Sequence, residues 1–511
     1  PLRAMGDQEF DITKSAHAMT KYAEMVVNPL DIRYCLEKAL YVATHGRPGP
    51  CWLDIPLNVQ GGYVETEELR GFNPDECEEI LAPHVSDDVV DEIIDKIKNA
   101  ERPVFYAGNG IRISGGYDSF TKVVELLGIP VATCWDSIDA IYDEHPYYVG
   151  RGGIMGDRAG NFAVQNSDLV FAVGNRLSIR QVGYSWTTWA REAYVIMNDV
   201  DEAELKKPTL HVDMPVWADA KELLEKLLAK LTKMKEAGEF KDTLSEKSDW
   251  VKRCQDWKAK YPVVLPKHYE DKNHTNVYAF IKELSRRLHE NQVTVVGNGS
   301  ACVVGSHGYV IKKGQRFIIN SAIASMGYDL PAAIGATVAE FRDEALYGRS
   351  LGKDIDDVIL VTGDGSIQMN IQELQTIIHH KMPIKIFIIN NQGYHSIRQT
   401  QTNLFNKHFV GIGPQSGDLS FPDMSKLAPA YGYPYFSCDG NEHLGKAIED
   451  TLAVDGPAIC EIFVSTEQNF EPKSATKRLP DGTLVSPPLE DLGPFLDREE
   501  FYSNMIIKPL S

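Results

Sequence analysis

Asp364 and Asn391 are the two residues whose types and spacing point most directly to chemistry. Residues 357–362, Asp-Val-Ile-Leu-Val-Thr, read as a buried parallel strand. They run into Gly363-Asp364-Gly365-Ser366, where glycines permit a tight turn and the close approach of a phosphate. Ile371, Leu374, Ile377 and Ile378 follow at helical spacing, and after Pro383 the apolar residues 384–389 end in Asn390-Asn391-Gln392-Gly393. This is a strand–helix–strand crossover. Both strands point the same way, so Asp364 and Asn391 leave the same carboxyl edge of the sheet, where open α/β folds hold ligands. A carboxylate, an amide oxygen and a nearby main-chain carbonyl suit a hard cation, such as magnesium, that keeps phosphate oxygens in its remaining positions. The spacing predicts a metal-diphosphate site.

Two further segments bear on a ligand at this edge, the first of them through phosphate. Residues 293–296 lead into Gly297-Asn298-Gly299-Ser300, a turn whose amides can cradle an anion, although the same turn serves equally as an ordinary strand end. Ile318-Ile319 leads towards Ala324-Ser325-Met326-Gly327-Tyr328, in which Met326 by itself reads as core filler as readily as a ligand contact. His395 stands in a polar loop, either idle or placed to orient substrate or protonate an intermediate. His379-His380 closes a helix and reads as a cap rather than a metal ligand.

The elements that must position these residues follow an α/β pattern, and 511 residues of which 43% are hydrophobic divide into roughly three domains. Residues 1–62 hold a helix at 31–44, the turn His45-Gly46-Arg47-Pro48-Gly49-Pro50 and a strand at 51–55; 63–86 are an acidic linker. Residues 87–232 alternate helices with short apolar strands at 104–107, 131–134, 169–173 and 193–197, as a central Rossmann-like domain with a parallel sheet does. A Lys- and Glu-dense stretch, 233–272, reads as a linker or an exposed helix; a third α/β domain spans 273–468, and a polar, Pro-containing tail spans 469–511. One unit appears twice. Leu36–Leu40 followed by Gly49-Pro50 and a strand is similar to Leu444–Ile448 followed by Gly456-Pro457 and a strand, and if the two are copies the first lacks its front half.

Composition narrows the function classes. With 52 basic and 72 acidic residues the formal charge is −20, which disfavours nucleic acid and anionic membranes as partners. No run of about eighteen apolar residues and no basic-then-apolar leader pattern is present, so a soluble cytoplasmic protein is expected. The eight cysteines are scattered without a CxxC and read as reduced core thiols.

Gly-Asp-Gly-Ser and Asn-Asn, with 24 residues between Gly365 and Asn390, resemble the thiamine diphosphate signature of the pyruvate decarboxylase and acetohydroxyacid synthase superfamily. The resemblance runs over nearly the whole chain and is strongest to large subunits of acetohydroxyacid (acetolactate) synthase and their relatives. Arg47-Pro48-Gly49-Pro50 with Asp54-Ile55-Pro56 is similar to the end of their pyrimidine-binding domain, and Gly174-Asn175-Arg176 with Arg180 to their central domain. It implies thiamine diphosphate and magnesium as cofactors. Asp364, the Asn391 side chain and the Gly393 carbonyl would hold the metal, while Gly299, Ser300, Gly363, Gly365 and Ser366 would line the diphosphate. Met326 would be the bulky wedge that folds the cofactor, and the Ala324 carbonyl would hold its amino group.

The implied activity is that of a carboligase, which decarboxylates a 2-keto acid such as pyruvate and passes the two-carbon unit to a second carbonyl. A plain 2-keto acid decarboxylase and an inactive cofactor-binding fragment are the alternatives, with a flavin or nicotinamide oxidoreductase as a third class. In the family a glutamate from the front of the pyrimidine domain activates the cofactor, and no residue between Glu9 and Glu37 matches it, so the first domain reads as the C-terminal remnant of that domain and no catalytic base is nominated. Thr400 stands where the synthase pattern has a tryptophan that favours 2-ketobutyrate as acceptor. FAD is a candidate central-domain cofactor through Gly108, Gly110, Arg176, Arg180 and Asp199, although the family's arginine–aspartate–aspartate–arginine stretch is here Arg176-Leu177-Ser178-Ile179-Arg180. The family's shared site implies a homodimer or homotetramer.

Overall fold

Short aliphatic runs pair into two six-stranded sheets, both wholly parallel, in a computed structural model that describes residues 6–7, 9–239, 248–271, 273–347, 357–475, 477–478 and 481–510. The side chains of 340–347, 477–478 and 484 are outside the description. The first element is smaller. Tyr22–Met25 (β1) and Cys51–Asp54 (β2) form a two-stranded parallel sheet joined by the helix Ile32–Thr44, packed through Val26, Cys35 and Val59.

The central sheet contains Pro103–Ala107 (β3), Val131–Thr133 (β4), Tyr148–Arg151 (β5), Leu169–Val173 (β6), Tyr194–Asp199 (β7) and Met214–Trp217 (β8), in the order β5-β4-β3-β6-β7-β8. That is the doubly wound order of a dinucleotide-type fold. Phe105 and Ala107 face one apolar layer while Val104 and Tyr106 face the other, so helices cover both sides.

The C-terminal sheet contains Val293–Val296 (β9), Arg316–Ile319 (β10), Val358–Gly363 (β11), Ile384–Asn390 (β12), Tyr435–Asp439 (β13) and Ala458–Phe463 (β14), ordered β10-β9-β11-β12-β14-β13. After β9 the chain steps to one side to make β10 and then crosses to the other side to make β11. The carboxyl ends of β9 and β11 therefore flank the switch point, where a parallel sheet opens a crevice. The repeated unit of the sequence is visible here. β13, the helix Asn441–Leu452 and β14 form a parallel strand–helix–strand unit, as β1, Ile32–Thr44 and β2 do.

Three segments differ from their sequence reading. In 233–272 the central helix Ala220–Glu236 runs on past residue 232, and Ser248–Lys260 is a docked helix rather than a linker or an exposed one. Trp250, Cys254 and Trp257, four and then three residues apart, form a buried stripe against the central sheet, and the Trp250 indole donates to the Pro103 carbonyl at 3.0 Å. Residues 240–247, in the same expected linker, lie outside the described residues. The tail is docked too. Leu489 and Phe501 enter the same apolar layer, and Trp257 donates to Asn504 Oδ1 at 2.9 Å. The acidic stretch 63–86 is folded back on the first helix, where Glu37 accepts the Phe72 amide at 2.8 Å and Tyr34 donates to Glu76 at 2.7 Å. Among the described residues no helix is long and apolar enough to cross a membrane.

Candidate cofactor site

Asp364 stands at the end of β11 and Asn391 at the end of β12, neighbouring parallel strands whose register pairs Gly363 with Ile389. Strand geometry alone brings the two side chains to one edge. Asp364 is 5% exposed; its Oδ2 accepts the Gly393 amide at 2.9 Å and its Oδ1 the Gly365 amide at 2.8 Å. Burial pushes the carboxyl up to about 7 against the lowering influence of those two amides and Arg398, and the nearby Glu461 adds to the rise. A divalent cation would offset that penalty by favouring the charged form.

Asn391 supplies the matching oxygen. Its Nδ2 donates to Ser300 Oγ at 3.0 Å, which fixes the orientation of the amide. Its Oδ1 is buried and has no hydrogen-bond partner among the described residues. Such an oxygen is costly to bury unless something binds it, so the donor set fits a hard cation. Among the described residues no group of three or more His, Cys, Asp or Glu side chains forms an alternative metal cluster. Gly393, the third expected ligand, gives its amide to Asp364, and its carbonyl accepts the His395 amide at 3.1 Å with one lone pair to spare.

The residues expected to line a phosphate lie at the same edge. Gly299 precedes the helix Ser300–Gly308, whose N-terminus carries free amides and positive dipole towards the crevice. No atom lies within 4 Å of where a side chain would stand on Gly299 or on Gly363, so both face open space. The Gly297 amide is tied to the Val361 carbonyl at 2.8 Å, which fastens this turn to β11. Ser366 Oγ accepts the Gly327 amide at 2.9 Å, joining the Gly363–Ser366 turn to the Met326 turn. Ala324 has φ +57, a left-handed conformation unusual for a residue with a side chain, and the next carbonyl, on Ser325, accepts Asn298 Nδ2 at 2.6 Å. Met326 is half-buried beside it.

His395 is placed differently from a free catalytic histidine. Its ring is 5% exposed, Nε2 sits 2.6 Å from the Gln468 carbonyl and Nδ1 faces Arg398 at 3.5 Å. Burial depresses its pKa to about 4, so the ring is neutral and committed to holding the 465–470 segment. Arg398, absent from the sequence reading, does more for the site. Its guanidinium donates to the Asn391 carbonyl at 2.9 Å and the Gln392 carbonyl at 2.7 Å, anchoring the loop that presents the amide. Asp329 was missed as well; its carboxyl is fully buried between the three turns just described. Its only sequence signal was an acid in the first turn of a helix, and Arg398 had none.

The two expected C-terminal turns converge with Asp364 and Asn391 at the switch point of one parallel sheet, and that arrangement agrees with the matches to known families. A model described as the central domain of thiamine pyrophosphate enzymes matches residues 90–227, and one described as their C-terminal TPP binding domain matches 297–462, together more than half of the chain. The chain belongs to the thiamine pyrophosphate enzymes. It is 29% identical over 479 residues to the acetolactate synthase large subunit of Cyanidium caldarium, covering 92% of this chain and 76% of that protein. It is 28% identical to the probable acetolactate synthase large subunit of Methanocaldococcus jannaschii, with 94% and 77% covered, and 27% identical to the acetolactate synthase isozyme 2 large subunit of Escherichia coli, with 95% and 80% covered.

In this thiamine pyrophosphate enzyme the residues expected to hold FAD have other partners. The Gly108 amide donates to the Val173 carbonyl and the Gly110 amide to the Gly174 carbonyl, at 3.0 and 2.9 Å. Gly108 is glycine because a side chain there would stand 2.1 Å from the Gly174 oxygen, a packing reason rather than a phosphate one. Arg176 pairs with Glu204 at 3.1 Å, Asp199 Oδ1 accepts the Asp201 amide at 2.9 Å, and Arg180 lies over the Trp135 ring at 5.0 Å.

Proposed function

We propose that this chain is a thiamine diphosphate-dependent carboligase, acetolactate synthase-like, which decarboxylates a 2-keto acid such as pyruvate and transfers the two-carbon unit to a second carbonyl. The observation that carries the reading is the buried, unpartnered Asn391 Oδ1 next to the desolvated Asp364 carboxyl at the switch point. When bound, thiamine diphosphate would supply the electron sink for loss of carbon dioxide. The chain's own residues do the rest. Asp364, Asn391 and the Gly393 carbonyl would hold magnesium against the diphosphate, the Ser300 helix would face its negative charge, and Met326 and Ala324 would bear on the organic part of the cofactor.

The similarity to acetolactate synthase large subunits over more than nine-tenths of the chain supports carboligation over simple decarboxylation. Thr400 is exposed on the helix His395–Leu404 and does not offer the large aromatic surface that the resemblance associates with 2-ketobutyrate, so we place the acceptor outside that substrate. A homodimer is the proposed assembly, read by light scattering with cofactor and magnesium present.

The test is calorimetric titration with thiamine diphosphate and magnesium, on the wild type and on Asp364→Ala, alongside carbon dioxide release and product analysis with pyruvate. Magnesium-dependent binding that is lost in the variant, with acetolactate or another hydroxyketone as product, is the expected result. Free aldehyde alone would identify a decarboxylase, and binding without turnover a cofactor-binding protein. Absence of binding by the wild type would overturn the reading.

A further inference from the structure

Asp329 is fully buried at the start of the helix Asp329–Tyr347, yet it is not among the residues that would touch metal or diphosphate. Its Oδ1 accepts the Ser366 hydroxyl at 3.2 Å. That same hydroxyl oxygen accepts the Gly327 amide, one residue beyond Met326. The Gly327 carbonyl in turn accepts Asn370 Nδ2 at 2.6 Å, a second tie between the Met326 turn and the segment after Ser366. On its other side Asp329 Oδ2 lies against Gly297. A methyl carbon on Gly297 would be 2.2 Å from that oxygen, too close for any side chain, so Gly297 and Asp329 fit only as a pair. Oδ2 has no hydrogen-bond partner among the described residues, and the Thr362 side chain lies beside the carboxyl.

One carboxyl group thus touches two turns directly, Gly297–Ser300 after β9 and Gly363–Ser366 after β11, and reaches a third, Ala324–Gly327 after β10, through the Ser366 hydroxyl. Burying an acid costs free energy, and a fold that needed only to fill this space would do it more cheaply with an apolar side chain. We propose that Asp329 is a positioning residue that sets the mutual register of the three turns that carry the cofactor, acting through the Ser366 hydroxyl on one side and by contact with Gly297 on the other. It acts on geometry and exchanges no proton with substrate. The inference rests on thiamine diphosphate lying over these turns, as in the proposed function.

Thiamine diphosphate affinity, titrated calorimetrically with magnesium on the full chain, tests it. Asp329→Ala is expected to weaken binding about tenfold, the scale of losing one buried hydrogen bond to a positioned group. Asp329→Asn keeps an oxygen for Ser366 and should restore affinity to within about threefold, on the same scale. Gly297→Ala should weaken binding in the wild-type background but add nothing once Asp329→Ala has made room, and Ser366→Ala should likewise be non-additive with Asp329→Ala. A residue that merely fills the core would lower the cofactor-free melting temperature without this pattern of rescue and non-additivity.

Wild-type binding with an unchanged constant in Asp329→Ala, or full additivity in both pairs, overturns the inference and leaves the function standing. A wild type that does not bind thiamine diphosphate overturns both. If Asp329→Ala fails to fold, Asp329→Asn and Gly297→Ala decide: equal losses in both, with no rescue by asparagine, refute the positioning role.

Discussion

Asn391 Nδ2 donates to Ser300 Oγ at 3.0 Å, and this one bond, between the end of β12 and the helix that follows β9, decides which way the amide faces. With the nitrogen committed, the oxygen is left buried and available to a cation. Ser300→Ala removes the orienting partner without touching the ligand atom. Magnesium-supported binding of thiamine diphosphate is therefore expected to weaken by roughly tenfold in Ser300→Ala, as for changes in the partners of metal ligands, and by roughly a hundredfold in Asn391→Ala, where the ligand itself is gone. Equal effects of the two substitutions in isothermal titration would show that Ser300 contributes more than orientation.

The buried histidines make the stability of this protein depend on pH. Burial lowers the pKa of His395 and His268 to about 4 and that of His307 to about 3, each below the ordinary value of 6.5. The unfolded chain therefore binds more protons than the native one between those values and 6.5. Their contribution to stability is complete above pH 6.5 and is lost as pH falls towards 4, at up to about 1.4 kcal/mol per pH unit for each histidine. Urea midpoints measured from pH 7.5 to 4.5 read a slope in which this loss is set against the opposite contribution of Asp364 and Asp157, whose carboxyls burial pushes up to about 7 and about 6. His395→Gln, which retains a side-chain nitrogen for the Gln468 carbonyl, should flatten that slope by about one proton; an unchanged slope would mean that His395 titrates alike in both states.

The convergence of Asp364 and Asn391 at one sheet edge was legible because they stand directly at the ends of long apolar strands, where type, position and direction are all set locally. Asp329 and Arg398 were not, because each acts through backbone of a different turn, and no local pattern records that meeting. The same division runs through the fold. The strands missed were Tyr22–Met25, Tyr148–Arg151, Met214–Trp217, Tyr435–Asp439 and the short antiparallel pair Lys477–Arg478 and Leu484–Val485, all of which lie at sheet edges or in two-stranded sheets. An edge strand pairs on one side only, so it tolerates Pro215 in β8 and the mixed polarity of Tyr435–Asp439. The helix Ser248–Lys260 was hidden because three buried residues, Trp250, Cys254 and Trp257, anchor it amid Lys, Arg, Asp and Gln.

Those three residues give a direct check on the docking of that helix. Trp257 is 3% exposed, packs against Phe162 with ring centroids 5.5 Å apart, and donates to Asn504 in the tail. Trp257→Ala removes a buried aromatic and leaves Asn504 Oδ1 without its donor. A loss of about 3–5 kcal/mol is expected in denaturant titration, with faster proteolysis of the 489–510 tail. A loss below about 1 kcal/mol, the range of surface substitutions, would place the helix in solvent after all.

Arg151 couples the two large sheets, and its removal should separate them. From the end of β5 its Nη1 donates to the carbonyls of Ser306 and His307, at 3.2 and 2.8 Å, and its Nη2 to that of Tyr309 at 2.5 Å, with Asp143 3.4 Å away. Those carbonyls end the helix whose beginning, at Gly299 and Ser300, is where we propose the diphosphate sits. The guanidinium is buried, so its deletion leaves an acid and several carbonyls without their partner rather than merely losing an attraction. Arg151→Met is expected to cost about 3–5 kcal/mol and to split thermal unfolding into two transitions, one for each sheet. Arg151→Lys keeps the charge but has no planar fork to reach three carbonyls, so it should fall between the two. Differential scanning calorimetry reads both the loss and the splitting. A single transition at the wild-type temperature in Arg151→Met would show that the sheets are joined by their apolar contacts alone, with the arginine only filling the seam.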